Sequence, residues 1–170
     1  ALLIGVMAYR FRALTLSGAA AAFVLGSIVF GAGGLAWAVI LIAFFVSSSG
    51  WSWLFKKRKK TAEQMYSKGN RRDAAQVLAN GGVAGVCVLA HLVFPTSIIP
   101  WIGFSASLAA ANADTWATEL GILNRGKPVK ITNGQPVDAG TSGAISLVGT
   151  LAAALGALLI AGSAADQLRL

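Results

Sequence analysis

Residues 35–60 read LAWAVILIAFFVSSSGWSWLFKKRKK, an apolar run that ends in five consecutive basic residues. At about 1.5 Å per residue, the apolar part, 35–55, is long enough to cross a hydrocarbon core of about 30 Å as a helix. A helix is expected because lipid offers no hydrogen-bond partner to backbone N–H and C=O groups. Lys and Arg residues beside a span mark its cytoplasmic end. This stretch therefore predicts a transmembrane helix that ends in the cytosol.

Four more apolar stretches have a similar length, and residues 1–9 resemble the end of a further span. The four stretches are 14–31, 74–94, 98–123 and 142–162. The chain is 56% hydrophobic and 12% charged, whereas soluble domains are roughly 45–50% apolar and about 25% charged. No stretch alternates polar and apolar residues as barrel strands do. We predict an all-α polytopic transmembrane helix bundle with about five full spans and a partial N-terminal span. We expect a single domain over 1–170 and a chain that is clipped at both ends.

The basic residues are unevenly distributed. The net charge is +8, from 14 Lys and Arg against 6 Asp and Glu. If successive spans cross the membrane in alternating directions, every one of these cations except Arg169 lies on one side of the membrane. They fall in the segments 10–12, 56–72 and 125–130. The positive-inside rule makes that side cytoplasmic. Cations arranged in this way indicate contact with membrane lipid rather than binding to nucleic acid.

The first polar cluster stands at the cytoplasmic end of the third span. Asp73, Gln76 and Asn80 are spaced i, i+3, i+7, which places them on one stripe of a helix. Arg71 and Arg72 precede them at the helix entrance, where the helix dipole also favours anions. Guanidinium groups beside a carboxylate and two amides suit a phosphate–metal complex. Alternatively, the arginines only set membrane orientation and Asp73 is their salt-bridge partner, which leaves Gln76 and Asn80 unexplained.

The second polar cluster lies inside the fourth span. Asn112 and Glu119 share one helical stripe, whereas Asp114 points to roughly the opposite side of an ideal helix. Either the helix is broken here or Asp114 serves a different neighbour. A carboxylate within the bilayer costs about 3 kcal/mol or more, so it is kept where it has a partner or a function. Asp, Glu and Asn oxygens suit Mg²⁺, which works with substrate phosphates. The alternative is a buried polar knot that only holds helices together.

The loop before the last span contains Gly140, Thr141, Ser142 and Gly143. At a helix N-terminus it would offer N–H groups and two hydroxyls to an anion. Thr141 or Ser142 could instead be a simple N-cap. The loop is not a Walker A sequence, because no Gly-Lys-Ser or Gly-Lys-Thr follows. His91 is the only histidine, which excludes a histidine-rich metal site, and it lies near the outer end of its span, away from the polar clusters, which argues against a Ser-His-Asp triad.

Four short motifs extend over nearly the whole chain. They are RALTLSG at 12–18, RRDAAQVLANGG at 71–82, ANADTWATELG at 111–121 and GTSGAIS at 140–146. Their sequence and order resemble the integral membrane family catalogued as domain of unknown function 92. That family includes transmembrane protein 19 and the plant phytyl-phosphate kinase. Its members are usually longer than this chain.

The resemblance implies a nucleotide-dependent kinase that converts an isoprenoid monophosphate, such as phytyl phosphate, to the diphosphate, a step toward tocopherol. The implied donor is CTP, UTP or ATP, acting with Mg²⁺. The prenyl tail would lie between helices, with its phosphate at the cytoplasmic boundary. The candidate catalytic residues are Arg71, Arg72, Asp73, Asp114 and Glu119, of which the three acids would also bind the metal. The candidate residues for binding nucleotide or phosphate are Gln76, Asn80, Asn112, Gly140, Thr141, Ser142 and Gly143.

Two other functions stay open from the sequence. Intramembrane acids also suit a transporter of ions or small solutes, which predicts a polar trail across the bilayer. The outer halves of the spans are apolar apart from His91 and small hydroxyls, which favours the kinase. A non-catalytic scaffold would bind neither Mg²⁺ nor nucleotide. The predicted location is a bacterial cytoplasmic membrane or a plastid envelope, with the site facing the cytosol.

Overall fold

The computed structural model describes residues 1–10, 13–55 and 71–167, apart from the side chain of Ile4. The helices are α1 (Leu2–Arg10), α2 (Leu16–Ile28), α3 (Gly34–Leu54), α4 (Ala74–Val93), α5 (Ile99–Gly121) and α6 (Leu147–Gln167). A π-helical turn, Val29–Gly33, joins α2 to α3. Two-residue strands β1 (Val129–Lys130) and β2 (Ala144–Ile145) pair in antiparallel fashion before α6. Arg12, the basic residues at 56–70 and Arg169, which the charge prediction used, lie outside the described residues.

Three helical stretches are long and apolar enough to cross a membrane, namely Leu16–Leu54, Ala74–Val93 and Leu147–Gln167. Helix α5 has 23 residues, which is sufficient length, but its polar side chains make it less apolar than these three. The large hydrophobic side chains on the outer faces of the helices suit a lipid-facing surface. The all-α membrane fold is thus confirmed, while the count of five full spans stays a prediction.

The stretch Leu16–Leu54 folds back on itself. Gly34 has φ of 77°, a left-handed conformation that favours glycine and interrupts a helix. Thr15, just before α2, donates its backbone N–H to the carbonyl O of Arg72 at 3.0 Å. Ser49, late in α3, accepts a hydrogen bond from Arg72 Nη1 at 3.4 Å. The start of α2 and the end of α3 therefore lie at the same end of the bundle, as two separate spans require.

The core lies where α3 packs against α4, α5 and α6. Its fully enclosed side chains include Ile40, Val88, Phe104, Leu108 and Ile160. Glycines let neighbouring helices approach each other at its margin. A Cβ added at Gly85 of α4 would lie 2.8 Å from Leu25 Cδ1 of α2, and one at Gly81 would meet the same leucine. Small residues thus permit the close helix contacts on which membrane bundles depend.

Candidate functional site

The segment just before α4 is fixed against the start of α2. Arg72 N donates to the carbonyl O of Ala13, and Thr15 N donates to the carbonyl O of Arg72, each at 3.0 Å. Asp73 then caps α4, because its Oδ1 accepts from Gln76 N at 2.9 Å. An aspartate at this position satisfies an N–H that has no partner inside the helix. Asp73 therefore has a structural role in addition to the metal-binding role that the sequence predicts.

The side chain of Arg72 turns into the bundle toward α3 and α5. Its guanidinium donates to Ser49 Oγ and interacts electrostatically with Glu119. Glu119 is only 5% exposed, and its Oε1 accepts from Ser52 Oγ at 2.7 Å. Burial lowers the pKa of Arg72 from its usual value, while the negative charge of Glu119 opposes that shift. Because an arginine pKa starts so high, the group stays cationic at neutral pH, and the site presents a partly desolvated positive charge.

Arg71 takes a different course from its neighbour. Its Nε and Nη2 both donate to the carbonyl O of Leu14, at 3.1 and 2.8 Å. The guanidinium also lies over the ring of Tyr9, 5.2 Å from the centroid. These contacts tie the start of α4 to α1 and α2. The structure thus separates the two arginines that the sequence placed at one anion site.

An apolar groove, here called the Arg72 groove, opens beside Arg72 between α1, α2, α3 and α4. Its enclosed volume is about 80 Å³, and the space reaches about 750 Å³ when the open side is counted. Arg72 and Asn80 are the polar side chains among the described residues of its lining, which is otherwise aliphatic, phenylalanine, alanine or glycine. Asn80 lies about 10 Å along α4 from Asp73. Two predicted site residues, Arg72 and Asn80, therefore line the same groove. Gln76 is half-buried and lies outside its lining.

Asn112 is fully buried where three helices meet. Its Oδ1 accepts from Ser47 Oγ and Ser48 Oγ of α3, each at 3.0 Å. Its Nδ2 donates to the carbonyl O of Gly156 in α6 at 2.8 Å. A Cβ at Gly156 would lie 3.2 Å from the Asn112 carbonyl O, which shows how closely α5 and α6 approach. This geometry agrees with the polar knot that the sequence left open as an alternative to nucleotide binding.

The three carboxylates predicted to bind metal do not come together. Helix α5 is continuous from Ile99 to Gly121, so it is not broken at Asp114. Asp114 is exposed and Glu119 is buried, because five residues advance a helix by about 1.4 turns. In the part of the chain that the structure describes, no group of three or more His, Cys, Asp or Glu side chains could hold a metal ion. A single Mg²⁺ centre with Asp73, Asp114 and Glu119 all as ligands is therefore not supported.

The loop at 140–143 is also placed differently from the prediction. Helix α6 begins at Leu147 rather than at 142, and its N-terminal cap is Ser146, whose Oγ accepts from Gly149 N at 3.1 Å. Gly140 and Gly143 have φ of 91° and 75°, which a helix start does not adopt. Ala144–Ile145 pairs with β1 instead. Gly140, Thr141, Ser142 and Gly143 thus form an exposed turn outside the first turn of α6.

A comparison with known families agrees with the motifs. The chain matches the family described as integral membrane protein DUF92 over residues 1–168. The chain belongs to the DUF92 family. This membership confirms the resemblance seen in the sequence. No solved structure matches the chain.

Several relatives of this DUF92 chain come from plants and archaea. Protein PGR of Arabidopsis thaliana is 32% identical over 166 residues, covering 89% of this chain and 57% of the relative. An uncharacterized membrane protein of Methanocaldococcus jannaschii is 36% identical, covering 92% of this chain and 64% of the relative. Protein VTE6, chloroplastic, of Arabidopsis thaliana is 31% identical, covering 87% of this chain and 46% of the relative. The DUF92 chain thus spans about half to two thirds of the length of these relatives.

Serines of α3 are the site residues that sequence reasoning missed in this DUF92 chain. Ser49 contacts Arg72, Ser52 contacts Glu119, and Ser47 and Ser48 contact Asn112. The available signal was the stretch SSSGWS at 47–52 near the end of a membrane helix. Hydroxyls there often bond across to neighbouring helices.

Replacing Gly18 by alanine tests how Arg72 is held. A Cβ at Gly18 would overlap the carbonyl O of Arg72, a backbone atom that cannot move alone. We expect Gly18→Ala to lower the free energy of unfolding by about 1–3 kcal/mol, measured by denaturation in detergent micelles. Gly82→Ala is the matched control, because a Cβ there meets nothing within 4 Å. Equal stability of the two variants would contradict the close contact between α2 and Arg72.

Proposed function

We propose that this DUF92 chain is a nucleotide-dependent isoprenoid monophosphate kinase. The supporting observation is the Arg72 groove, a long apolar recess with one guanidinium in its lining. A prenyl monophosphate has the complementary form, an apolar tail that ends in an anion. Its phosphate would bind Arg72, since guanidinium groups bind phosphate with paired N–H donors. Its tail would lie against the aliphatic and aromatic lining. Membership of a family that includes a phytyl-phosphate kinase agrees with this assignment.

The reaction requires little covalent chemistry from the protein. An oxygen of the acceptor monophosphate would form a bond to the γ-phosphorus of the nucleotide. The bond from that phosphorus to the β,γ-bridging oxygen would break, which releases a nucleoside diphosphate and leaves the isoprenoid diphosphate. No general base is needed, because the acceptor oxygen is already anionic. Catalysis of this type depends on positioning and charge stabilisation, and Ser49 and Glu119 hold Arg72 in a defined position for both.

The nucleotide would come from the cytosol, the side on which the cations lie, and CTP, UTP and ATP are all candidate donors. Gln76 and the turn at 140–143 are the proposed contacts to its phosphates, whereas Asn80, which lines the Arg72 groove, would lie beside the prenyl substrate. Mg²⁺ needs only one or two protein carboxylates when phosphate oxygens supply other ligands. Asp73 and Glu119 would be those carboxylates, since Asp114 lies on the other face of α5. The metal would neutralise charge on the triphosphate.

The direct test is an assay of the full chain purified in detergent. Phytyl or geranylgeranyl monophosphate would be incubated with each labelled nucleotide in turn, and the diphosphate product would be measured by chromatography. The proposal expects a diphosphate that depends on both the protein and one nucleotide. If no nucleotide gives product, while liposomes containing the protein accumulate an ion or solute, the transporter assignment replaces the kinase.

Two acids of α5 are expected to differ in their effect on activity. Glu119→Gln removes the charge beside Arg72 while the amide oxygen still accepts from Ser52, and we expect kcat/KM to fall by about tenfold or more. Asp114→Asn should change kcat/KM by less than about threefold, because this side chain is exposed on the opposite face. Steady-state kinetics of both variants provide the comparison. An equal loss in the two would contradict a site on the Glu119 face alone.

A further inference from the structure

The Arg72 groove has a defined direction. Arg72 and Leu14 mark one end, because Leu14 pairs with Arg72 at the start of α2. Phe30, in the π-helical turn that follows α2, is the lining residue farthest from that end along this part of the chain. It lies about 20 Å from Leu16 at the start of α2, from fourteen residues of rise. The chain just before α1 reaches the same far end of the groove. Ala1 lies 3.2 Å from a Cβ placed on Gly26, which is one turn before Phe30.

The far end of the Arg72 groove differs from its body on the side of α1 and α2. Along that side the body is lined mostly by glycine and alanine, such as Gly5, Ala8 and Ala22, which leave room for the methyl branches of an isoprenoid. The side formed by α3 is bulkier, with Leu41, Ile42, Phe44 and Phe45 in the lining. Phe30 is bulky and lies in the π-helical turn Val29–Gly33, just before the chain reverses. Val29 beside it is fully buried, whereas Phe30 is 36% exposed and lines the groove.

We propose that Phe30 sets the longest prenyl chain that the Arg72 groove accepts. The inference rests on the proposed function and adds its substrate determinant. With the phosphate held at Arg72, the tail extends toward the π-helical turn, and its last isoprene unit meets the Phe30 ring. A shorter side chain at this position makes room for one more unit. A larger one excludes the last unit of the chain that the native groove accepts.

The test measures binding without catalysis. The full chain in detergent is titrated with farnesyl, geranylgeranyl and geranylfarnesyl monophosphate, which differ by one isoprene unit each, and Kd is read from thermal stabilisation. Phe30→Ala is expected to change the ratio of Kd values for adjacent chain lengths by about tenfold in favour of the longer chain. Phe30→Trp is expected to change it in favour of the shorter chain. Phe30→Leu is expected to change the ratio in the same direction as Phe30→Ala but by less, and it replaces the alanine variant if that variant does not fold.

Phe23→Ala is the matched control, because Phe23 is an exposed phenylalanine of α2 outside the groove lining. It should leave the chain-length ratios as they are. If every Phe30 variant keeps the native ratios, the inference fails while prenyl phosphate binding and the kinase proposal stand. If the native chain binds none of the three, both fail.

Lysophosphatidic acid, a phosphate on one straight chain, tests the ligand class. If it binds as tightly as the prenyl phosphates, the isoprenoid assignment is overturned.

Discussion

Replacing Arg72 by glutamine is expected to reduce kcat/KM for a prenyl monophosphate by about 100-fold or more, because the groove then has no cationic side chain in its described lining. Arg72→Lys should also be impaired, since an ammonium group cannot make paired N–H contacts to a phosphate. The measurement is steady-state kinetics with the accepted nucleotide held at saturation. Arg125→Gln is the control, because Arg125 is an exposed arginine of a loop outside this site. It should retain native activity.

The loss of Arg72 also leaves Glu119 as a buried charge without this partner, so the single variant should be less stable, by about 3–5 kcal/mol. The double variant Arg72→Gln with Glu119→Gln separates the two effects. It should regain most of the stability, because neither side chain is then charged, but none of the activity. If the double variant were as active as Glu119→Gln alone, Arg72 would only support the fold.

Replacing Asn112 by leucine is expected to lower the free energy of unfolding by about 2–4 kcal/mol. The change removes the acceptor for Ser47 and Ser48 and the donor for the Gly156 carbonyl O. Unfolding of the purified chain in mixed micelles with increasing sodium dodecyl sulfate measures this difference. Thr118→Val is the control, with an expected change below about 0.5 kcal/mol, because Thr118 is exposed and its hydroxyl bonds only within α5.

The Asn112 variant also decides between two roles for this residue. A structural knot predicts a less stable protein whose remaining folded fraction still binds nucleotide with native affinity. A nucleotide-binding role predicts native stability with weakened nucleotide affinity. Equilibrium binding of the accepted nucleotide, measured at a temperature where both proteins are folded, separates these outcomes.

Much of the fold could be predicted because it depends on consecutive residues. The predicted spans 35–55, 74–94 and 98–123 agree with α3, α4 and α5 to within two residues at each end. Lipid requires long apolar helices, and their extent is visible in the sequence itself. The start of α6 was placed five residues early. It depends on positive φ at Gly143 and on pairing with β1, a partner distant in sequence.

The candidate site was predictable only in part. Of the predicted stripe Asp73, Gln76 and Asn80, Asn80 lines the Arg72 groove, beside Val77 and Gly81 of the same helix face. The sequence did not show that Arg71 and Arg72 have different partners. Side chains of adjacent residues point in different directions, and the partner of each depends on the fold. The role of Ser49 was missed because a serine in a membrane helix carries no sign of its partner.

The sequence by itself determined that apolar helices span a membrane, where the cations fall between them and to which family the chain belongs. Each of these properties is carried by neighbouring residues and by short motifs. The tertiary structure alone decided which polar side chains meet, such as Arg72 with Ser49 and Ser52 with Glu119. Those pairs join helices far apart in sequence, and only the packing of whole helices sets which faces touch.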